Sequence, residues 1–319
     1  MSKTRNLFKI VVVAAMSLSG SLAVSCCGAE AMNAKTQRVV REALGAGHWF
    51  PANPDNLRNM ISGFVEQAKV NPVTGRVVAA ISPHAGYQYS GRVAGCVFRA
   101  IRDQANKADK PEIVVVLGFS HSSGFPGVAL MDGDAISTPL METPLDAEAA
   151  KMLIRASPLI RMDYGPHQGE HSAENEVPFV QVVLPKARLV IGLIGDHDVQ
   201  TMKALTLALA DLASKKRILV ISSSDMLHDP DYDLVSKTDK KTLQSVETLD
   251  TQTLLGAWSP RHQIFCGITA VAVAVDFAKA EGCTKGTVLY YRNTGDDFPE
   301  SRGRWVVGYG AVVFAAPEK

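Results

Sequence analysis

The sequence predicts an α/β protein: a single domain with a mainly parallel central sheet covered by helices on both faces. Three observations predict it. Apolar, β-branched runs alternate with longer helical segments along the chain, the order that builds a parallel sheet. Two runs, Ile113-Val114-Val115-Val116-Leu117 and Ile218-Leu219-Val220-Ile221, are apolar without alternation, as in strands buried on both faces. No internal repeat or low-complexity linker divides the 319 residues, so one domain over residues 35–316 is the simplest organisation.

In chain order, Pro54–Lys69 reads as the first helix. The turn Asn71-Pro72-Val73-Thr74-Gly75 leads into a strand at Arg76–Ile81. Gly91–Gln104 reads as an amphipathic helix enclosing Cys96, and Glu112–Gly118 as the next strand. Asp146–Ala156 is a helix, followed by a helix at Ala173–Leu184 with Glu170 and Glu174 near its positive end. Arg188–Gly195 and Arg217–Ser223 are strands, separated by a helix at Val199–Ser214. Helices at Leu234–Leu249 and Gly267–Glu281 and strands at Thr287–Arg292 and Trp305–Phe314 complete the pattern.

Composition excludes several function classes. At 20% charged and 46% hydrophobic residues the chain can bury a large core and is not of a disordered type. A net charge of +1 offers no footprint for nucleic acid. Five cysteines in this length are not a disulfide scaffold.

The N-terminal residues carry their own signal. Lys3, Arg5 and Lys9 precede an uncharged stretch from Ile10 to Ala29, and Ala29-Glu30-Ala31 offers a small-x-small cleavage site. Residues 1–31 therefore read as a bacterial-type signal peptide, which places the protein in the periplasm. An uncleaved anchor is the other reading, since roughly 20 apolar residues span a bilayer, but the second half of this stretch is rich in serine. Ala23-Val24-Ser25-Cys26 resembles a lipobox lacking its usual first Leu, which would tie the protein to a membrane through a lipid on Cys26. Cleavage after Ala31 leaves 30 basic against 31 acidic residues and three cysteines: Cys96, Cys266 and Cys283. An odd number of thiols in an oxidising compartment leaves one unpaired or held by something else.

Ligands of open α/β sheets bind beyond the carboxyl ends of the strands. Those ends carry Ser82-Pro83-His84-Ala85-Gly86-Tyr87, Phe119-Ser120-His121-Ser122 and Ser224-Asp225-Met226-Leu227-His228. Three histidines and an aspartate could thus converge on one rim, and imidazole is both the commonest metal ligand and a proton carrier near neutral pH. Cys266 lies at the start of the apolar helix, where the dipole favours thiolate; a small buried hydrophobe fits the same position. Cys96 and Cys283 read as structural. His171 and Glu174 are three apart and could meet on one helix face, a carboxylate orienting an imidazole. His48, His167, His197 and His262 have no partner in the sequence pattern. Trp49, Tyr87 and Tyr89 suit either packing or a planar ligand.

These motifs resemble a known family. His84-Ala85-Gly86-Tyr87 with Tyr89-Ser90-Gly91 is similar to the PHAGY-x-YSG signature of the Memo family, whose bacterial and archaeal members are called AmmeMemoRadiSam system protein B. Ala46-Gly47-His48-Trp49-Phe50-Pro51, Leu117-Gly118-Phe119-Ser120-His121, Glu170-His171-Ser172-Ala173-Glu174, Ser223-Ser224-Asp225-Met226-Leu227-His228 and Phe265-Cys266-Gly267 continue the resemblance in order across residues 46 to 314. Phe119 and Ser122 depart from the family's LGPSHH strand end. The resemblance implies a class III extradiol dioxygenase-like fold and a His/His/Cys metal site, here His84, His121 and Cys266. It places His171, Asp225 and His228 in the same pocket as catalytic candidates. Iron or copper is the implied metal, with zinc also compatible with such donors.

The function expected is a non-haem iron or copper dependent redox protein, dioxygenase-like, with His228 or His171 moving protons and Asp225 fixing a histidine tautomer. A non-catalytic periplasmic iron or copper carrier would use the same ligands. Zinc-assisted hydrolysis ranks lowest, because no serine sits in a nucleophile elbow. The partner expected is a small molecule of unknown identity, with homo-oligomerisation left open.

Overall fold

The computed structural model describes residues 37–105 and 110–318; the signal-peptide and lipobox readings on residues 1–31 fall outside them. In chain order the elements are β1 (Val40–Glu42), α1 (Pro54–Gln67), β2 (Arg76–Ser82), α2 (Tyr87–Ala105), β3 (Ile113–Phe119), β4 (Val128–Leu130), β5 (Ala135–Ser137), β6 (Glu142–Pro144) and α3 (Ala147–Ala156). There follow β7 (Ile160–Met162), α4 (Val177–Val183), β8 (Arg188–Ile194), α5 (Val199–Ala213), β9 (Ile218–Ser223) and β10 (His228–Asp229). The chain ends with α6 (Tyr232–Glu247), α7 (Thr251–Ala257), α8 (Ile268–Ala280), β11 (Gly286–Asn293), α9 (Thr294–Asp297) and β12 (Val306–Ala316).

Nine strands form the main sheet in the order β10-β12-β2-β9-β3-β8-β4-β7, with β11 on the free side of β12. As expected, a central sheet is flanked by helices; it is mixed, not purely parallel. Its centre, β2-β9-β3-β8, is parallel, while β12 runs antiparallel to β2, β10 and β11, and β4 runs antiparallel to β8. The reversal follows from connectivity. β12 follows β11 after twelve residues that hold only the single turn of α9 and a short 3₁₀ segment, without the full helix that carries a parallel crossover, and the two strands pair antiparallel. The small strands β1, β4, β5, β6, β7 and β10 are two or three residues long and show no period that a sequence pattern could register. β1, β5 and β6 make a separate three-stranded sheet.

Side-chain alternation along β3 explains the two-sided core. Ile113, Val115 and Leu117 point to the face covered by α3, α5 and α8; Val114 and Val116 point to the face covered by α1, α2 and α4. Every one of these five residues is buried. α8 is apolar all round because it sits wholly inside the first layer, with ten of its thirteen residues buried. Among the described residues no helix is long and apolar enough to cross a membrane.

Several helix boundaries differ from expectation, the start of α2 at Tyr87 rather than Gly91 among them, and two of the differences have a clear local cause. The segment from Ala173 begins with a 3₁₀ turn at Glu174–Glu176, and the α-helix starts only at Val177, with Pro178 in its first turn. Proline is tolerated there because its missing N–H would be unpaired anyway. The helix expected to run to Leu249 ends at Glu247; Leu249 takes a left-handed φ of 57°, and Asp250 caps the separate helix α7 through Thr253 N.

One buried acid on α6 connects the fold to the site. Asp239 is fully buried, accepts hydrogen bonds from Leu227 N (3.2 Å) and Tyr291 Oη (2.9 Å), and has no cation beside it among the described residues. Burial pushes its carboxyl up to about 7, against the two hydrogen bonds that lower it. The folded state therefore holds a proton that the unfolded chain releases above 3.8, so this group's support is complete below pH 3.8 and is lost as pH rises through 7. Asp239→Asn should accordingly be more stable than the parent at pH 8, on the order of 2 kcal/mol, with no gain near pH 3.5. Urea unfolding at both pH values measures this; a variant less stable at pH 8 contradicts it.

Candidate metal centre

Register brings the site together. Ser82 of β2 lies opposite Ser223 of β9, and Leu117 of β3 lies opposite Ser222, so the carboxyl ends of three parallel strands are nearly level. His84, Asp225 and His121 each stand two residues beyond the last residue of β2, β9 and β3. Cys266 reaches the same rim from the other direction, two residues before α8, with its backbone N–H donating to Asp225 O (3.1 Å). Gly267, which caps α8, lets this approach happen: a Cβ there would crowd Ser223 O at 3.2 Å and Ser224 Oγ at 3.3 Å.

His84, His121 and Cys266 each offer one ligand atom, all within 4.8 Å of one another. Cys266 Sγ is 3.4 Å from His84 Nε2 and 3.5 Å from Ser224 Oγ. The other imidazole nitrogens are engaged. His84 Nδ1 is 3.0 Å from Ser223 Oγ, and His121 Nδ1 is 3.1 Å from Glu170 Oε1. Metal-binding histidines almost always have their second nitrogen tied in this way, so these residues fit a metal held by two imidazoles and one thiolate.

Glu170 is the residue that the sequence pattern does not single out. Its buried carboxylate accepts from the backbone N–H groups of His121 (2.6 Å), His171 (2.9 Å) and Ser172 (2.8 Å) as well as from His121 Nδ1. Burial alone would raise its pKa, but the His121 hydrogen bond and charge and the backbone donors bring it down to about 2. Burial lowers His121, but the hydrogen bonds its ring donates to Cys266 and Glu170 outweigh it, giving about 10 without metal. Glu174, the carboxylate expected to orient His171, instead turns toward the backbone of Leu44 and Gly45, and its burial pushes it to about 7.

The remaining candidates line one cleft of about 640 Å³ with His84 and His121. His171 stacks face to face on Trp49, ring centroids 3.9 Å apart and planes within 3°, and lies 5.2 Å from the His121 ring. Burial lowers its pKa to about 4. Asp225 does not reach an imidazole, contrary to its expected role in fixing a tautomer. Its Oδ1 accepts the backbone N–H groups of His84 (2.9 Å) and Ala85 (3.2 Å), which fixes the loop that carries His84. Burial pushes its carboxyl up to about 7, and those two hydrogen bonds act against the rise. His228 lines the cleft from β10, its ring 5.9 Å from Trp305, and its buried Nε2 has no hydrogen-bond partner among the described residues. Its pKa falls to about 4 through burial.

The aromatic residues divide. Trp49 and Tyr89 line the cleft, whereas Tyr87 is buried and donates to Asn175 O at 2.6 Å. His48 also lines the cleft, although nothing in the sequence pattern gave it a partner. His167 is structural, with Nε2 3.0 Å from Ala129 O. His197 packs between Phe119 and Trp258. Cys96 and Cys283 are buried, free thiols away from this cluster.

The Glu170–His121 pair makes a pH-dependent contribution to the metal-free protein. His121 is raised above 6.5, so its share is complete below pH 6.5 and is lost as pH rises through about 10. Glu170 is depressed below 4.5, so its share is complete above pH 4.5 and is lost as pH falls through about 2. Glu170→Gln should therefore cost most between pH 4.5 and 6.5. The expected loss is about 2 kcal/mol, the scale of hydrogen bonds to a buried charge, since the His121 side chain is 36% exposed and screened. Urea unfolding across this range checks it, and equal stability of parent and variant contradicts it.

Comparison with known proteins agrees with the motif order. The family model described as Memo-like protein matches residues 41–313. A MEMO1 family protein of Methanopyrus kandleri is 32% identical over 289 residues, covering 86% of this chain and 98% of its own. A MEMO1 family protein of Archaeoglobus fulgidus is 30% identical over 279 residues, covering 86% and 99%. Among solved structures, an uncharacterized protein from Escherichia coli K12 aligns with a TM-score of 0.46 at 12% identity, covering 68% of this chain and 91% of its own. With a family match across most of its length and relatives covered almost end to end, the chain belongs to the Memo-like protein family.

Proposed function

We propose that this protein is a metal-dependent redox protein that holds non-haem iron or copper through His84, His121 and Cys266 and acts on a small molecule bound in the adjoining cleft. One observation carries the reading: three mixed N and S donor atoms lie within 4.8 Å of one another, and two of their residues, His84 and His121, line an open cleft. Two imidazoles and a thiolate suit iron, copper or zinc better than magnesium or calcium. Three protein donors are the pattern of a catalytic centre, because a fourth position is left for an exogenous group. Bound there, iron or copper supplies one-electron redox chemistry.

The chain's own residues supply the rest. Glu170 and Ser223 orient the two imidazoles so that Nε2 of each turns toward Cys266. His228 lines the cleft, and its Nε2, buried and without a hydrogen-bond partner among the described residues, is a base for a bound hydroxyl that reaches it. Asp225, raised to about 7, exchanges a proton near neutral pH from its second carboxyl oxygen, which has no hydrogen bond among the described residues. Trp49 holds the His171 ring against the site and shields one side of it from water. A carrier would need the three ligands only. The unpartnered His228 and the proton-exchanging Asp225 in the same cleft favour turnover over storage.

Metal analysis of the purified protein and of two variants tests the reading. The parent should hold about one equivalent of iron or copper, and His84→Ala and Cys266→Ser should each lower metal affinity at least about tenfold while keeping the parent's circular dichroism. Full stoichiometric metal in both folded variants would end the proposal.

A further inference from the structure

Behind the site, on the side away from the cleft, Ser223 Oγ has three polar neighbours. Ser172 O lies at 2.5 Å, His84 Nδ1 at 3.0 Å and Glu176 Oε1 at 3.2 Å. All four residues are buried, His84 at 3% exposure and Glu176 at 1%. A serine hydroxyl has one hydrogen to give and two lone pairs to receive. Ser172 O is a carbonyl and can only accept, and it is the nearest neighbour, so it takes the hydrogen. The lone pairs of Ser223 Oγ then face His84 Nδ1 and Glu176 Oε1, and both of these must bring a proton. A carboxylate at Glu176 would instead set two lone pairs against each other in a dry interior.

We propose that Glu176 is kept as a neutral carboxylic acid that donates to Ser223 and, through this shared oxygen, fixes the His84 proton on Nδ1, leaving the Nε2 lone pair for a metal. The proposal rests on the metal reading above for the use of Nε2, and on hydrogen-bond accounting alone for the protonation of Glu176. The surroundings agree with it. No lysine or arginine pairs with Glu176 among the described residues, and the ionisable groups facing it are Asp225, two residues beyond β9, which disfavours a negative charge there, and Tyr87 from α2, which is held uncharged. Burial, with Asp225 adding to it, raises the carboxyl to about 8, against the serine hydrogen bonds that lower it. A carboxylic acid held neutral by a dry site so that it can donate is a known device of enzyme interiors. Glu176 is here a positioning residue, acting on His84 through Ser223.

Two measurements on the full chain test this separately. The first is the infrared difference spectrum of parent minus Glu176→Gln at pH 7. It should contain the carbonyl band of a protonated carboxylic acid, because the other buried acids cancel; a difference containing only carboxylate bands overturns the protonation state. The second is Co²⁺ binding, read by competition and by the thiolate-to-cobalt charge-transfer band. Glu176→Gln, whose amide can donate to Ser223 as the acid does, should stay within about threefold of the parent and keep its spectrum. Glu176→Leu and Ser223→Ala should each bind about 10- to 100-fold more weakly with a shifted band. The double variant should be no weaker than Ser223→Ala, since Glu176 acts only through that hydroxyl. Additive losses, or a Glu176→Gln variant as weak as Glu176→Leu, overturn the positioning role. A parent that takes up no Co²⁺ overturns the metal reading and the positioning role with it, while the infrared band still decides the proton.

Discussion

The site depends on one constraint, the level register of β2, β9 and β3. Parallel pairing sets Ser82 opposite Ser223 and Leu117 opposite Ser222, and this fixes where the chain leaves the sheet three times over. A slip of one residue in either pairing would turn every side chain of that strand to the other face. Such a slip is strongly opposed here, because both faces of β3 are buried under helices. The stability of the two-sided core is therefore also the precision of the site: His84, His121 and Asp225 inherit their positions from side chains that never touch the cleft.

A second theme is the number of carboxyl groups buried without a cation. Glu176, Asp225, Glu174 and Asp239 are all pushed upward by burial, while Glu170 alone is pulled down by its donors and by His121. Three of these acids are spent on the backbone of the site loops, whereas Glu176 meets the Ser223 side chain. Asp225 holds the His84 loop, Asp239 holds Leu227 next to His228, and Glu170 holds the turns carrying His121 and His171. The loops of His84, His121 and His228 are thus each fastened by an acid distant in the sequence, and His171 by its neighbour Glu170. Burying the four raised acids lowers stability as pH rises, a cost the fold accepts in return for fixed loops, whereas Glu170 acts in the opposite direction.

Much of this was legible in the sequence, and the reasons for the remainder are physical. The parallel centre of the sheet could be read because continuous apolar runs mark strands covered on both faces, and residues beyond such strands are where ligands bind. That is why His84, His121 and Asp225 stand out together, whereas Cys266 joins them only through the family resemblance, since its place before an apolar helix suits a buried hydrophobe equally well. Strand direction at the edges could not be read: a run such as β12 is equally apolar whichever way it pairs. Glu170 was missed because it lies 49 residues from His121, and no local spacing joins the two. The pairing of His171 with Glu174 was drawn from helical spacing, but the chain there makes a 3₁₀ turn that sends Glu174 toward Leu44 and Gly45. The stack of Trp49 on His171 joins residues whose contact no periodicity encodes.

The central claim is that His84, His121 and Cys266 act together on one ion. X-ray absorption at the metal edge of the loaded protein tests it most directly, because sulfur and nitrogen neighbours separate by distance. The account predicts one sulfur neighbour near about 2.3 Å and at least two imidazole nitrogens near about 2.0–2.1 Å, on the scale set by zinc–ligand bonds. A shell of nitrogen and oxygen alone, with no sulfur, would contradict it.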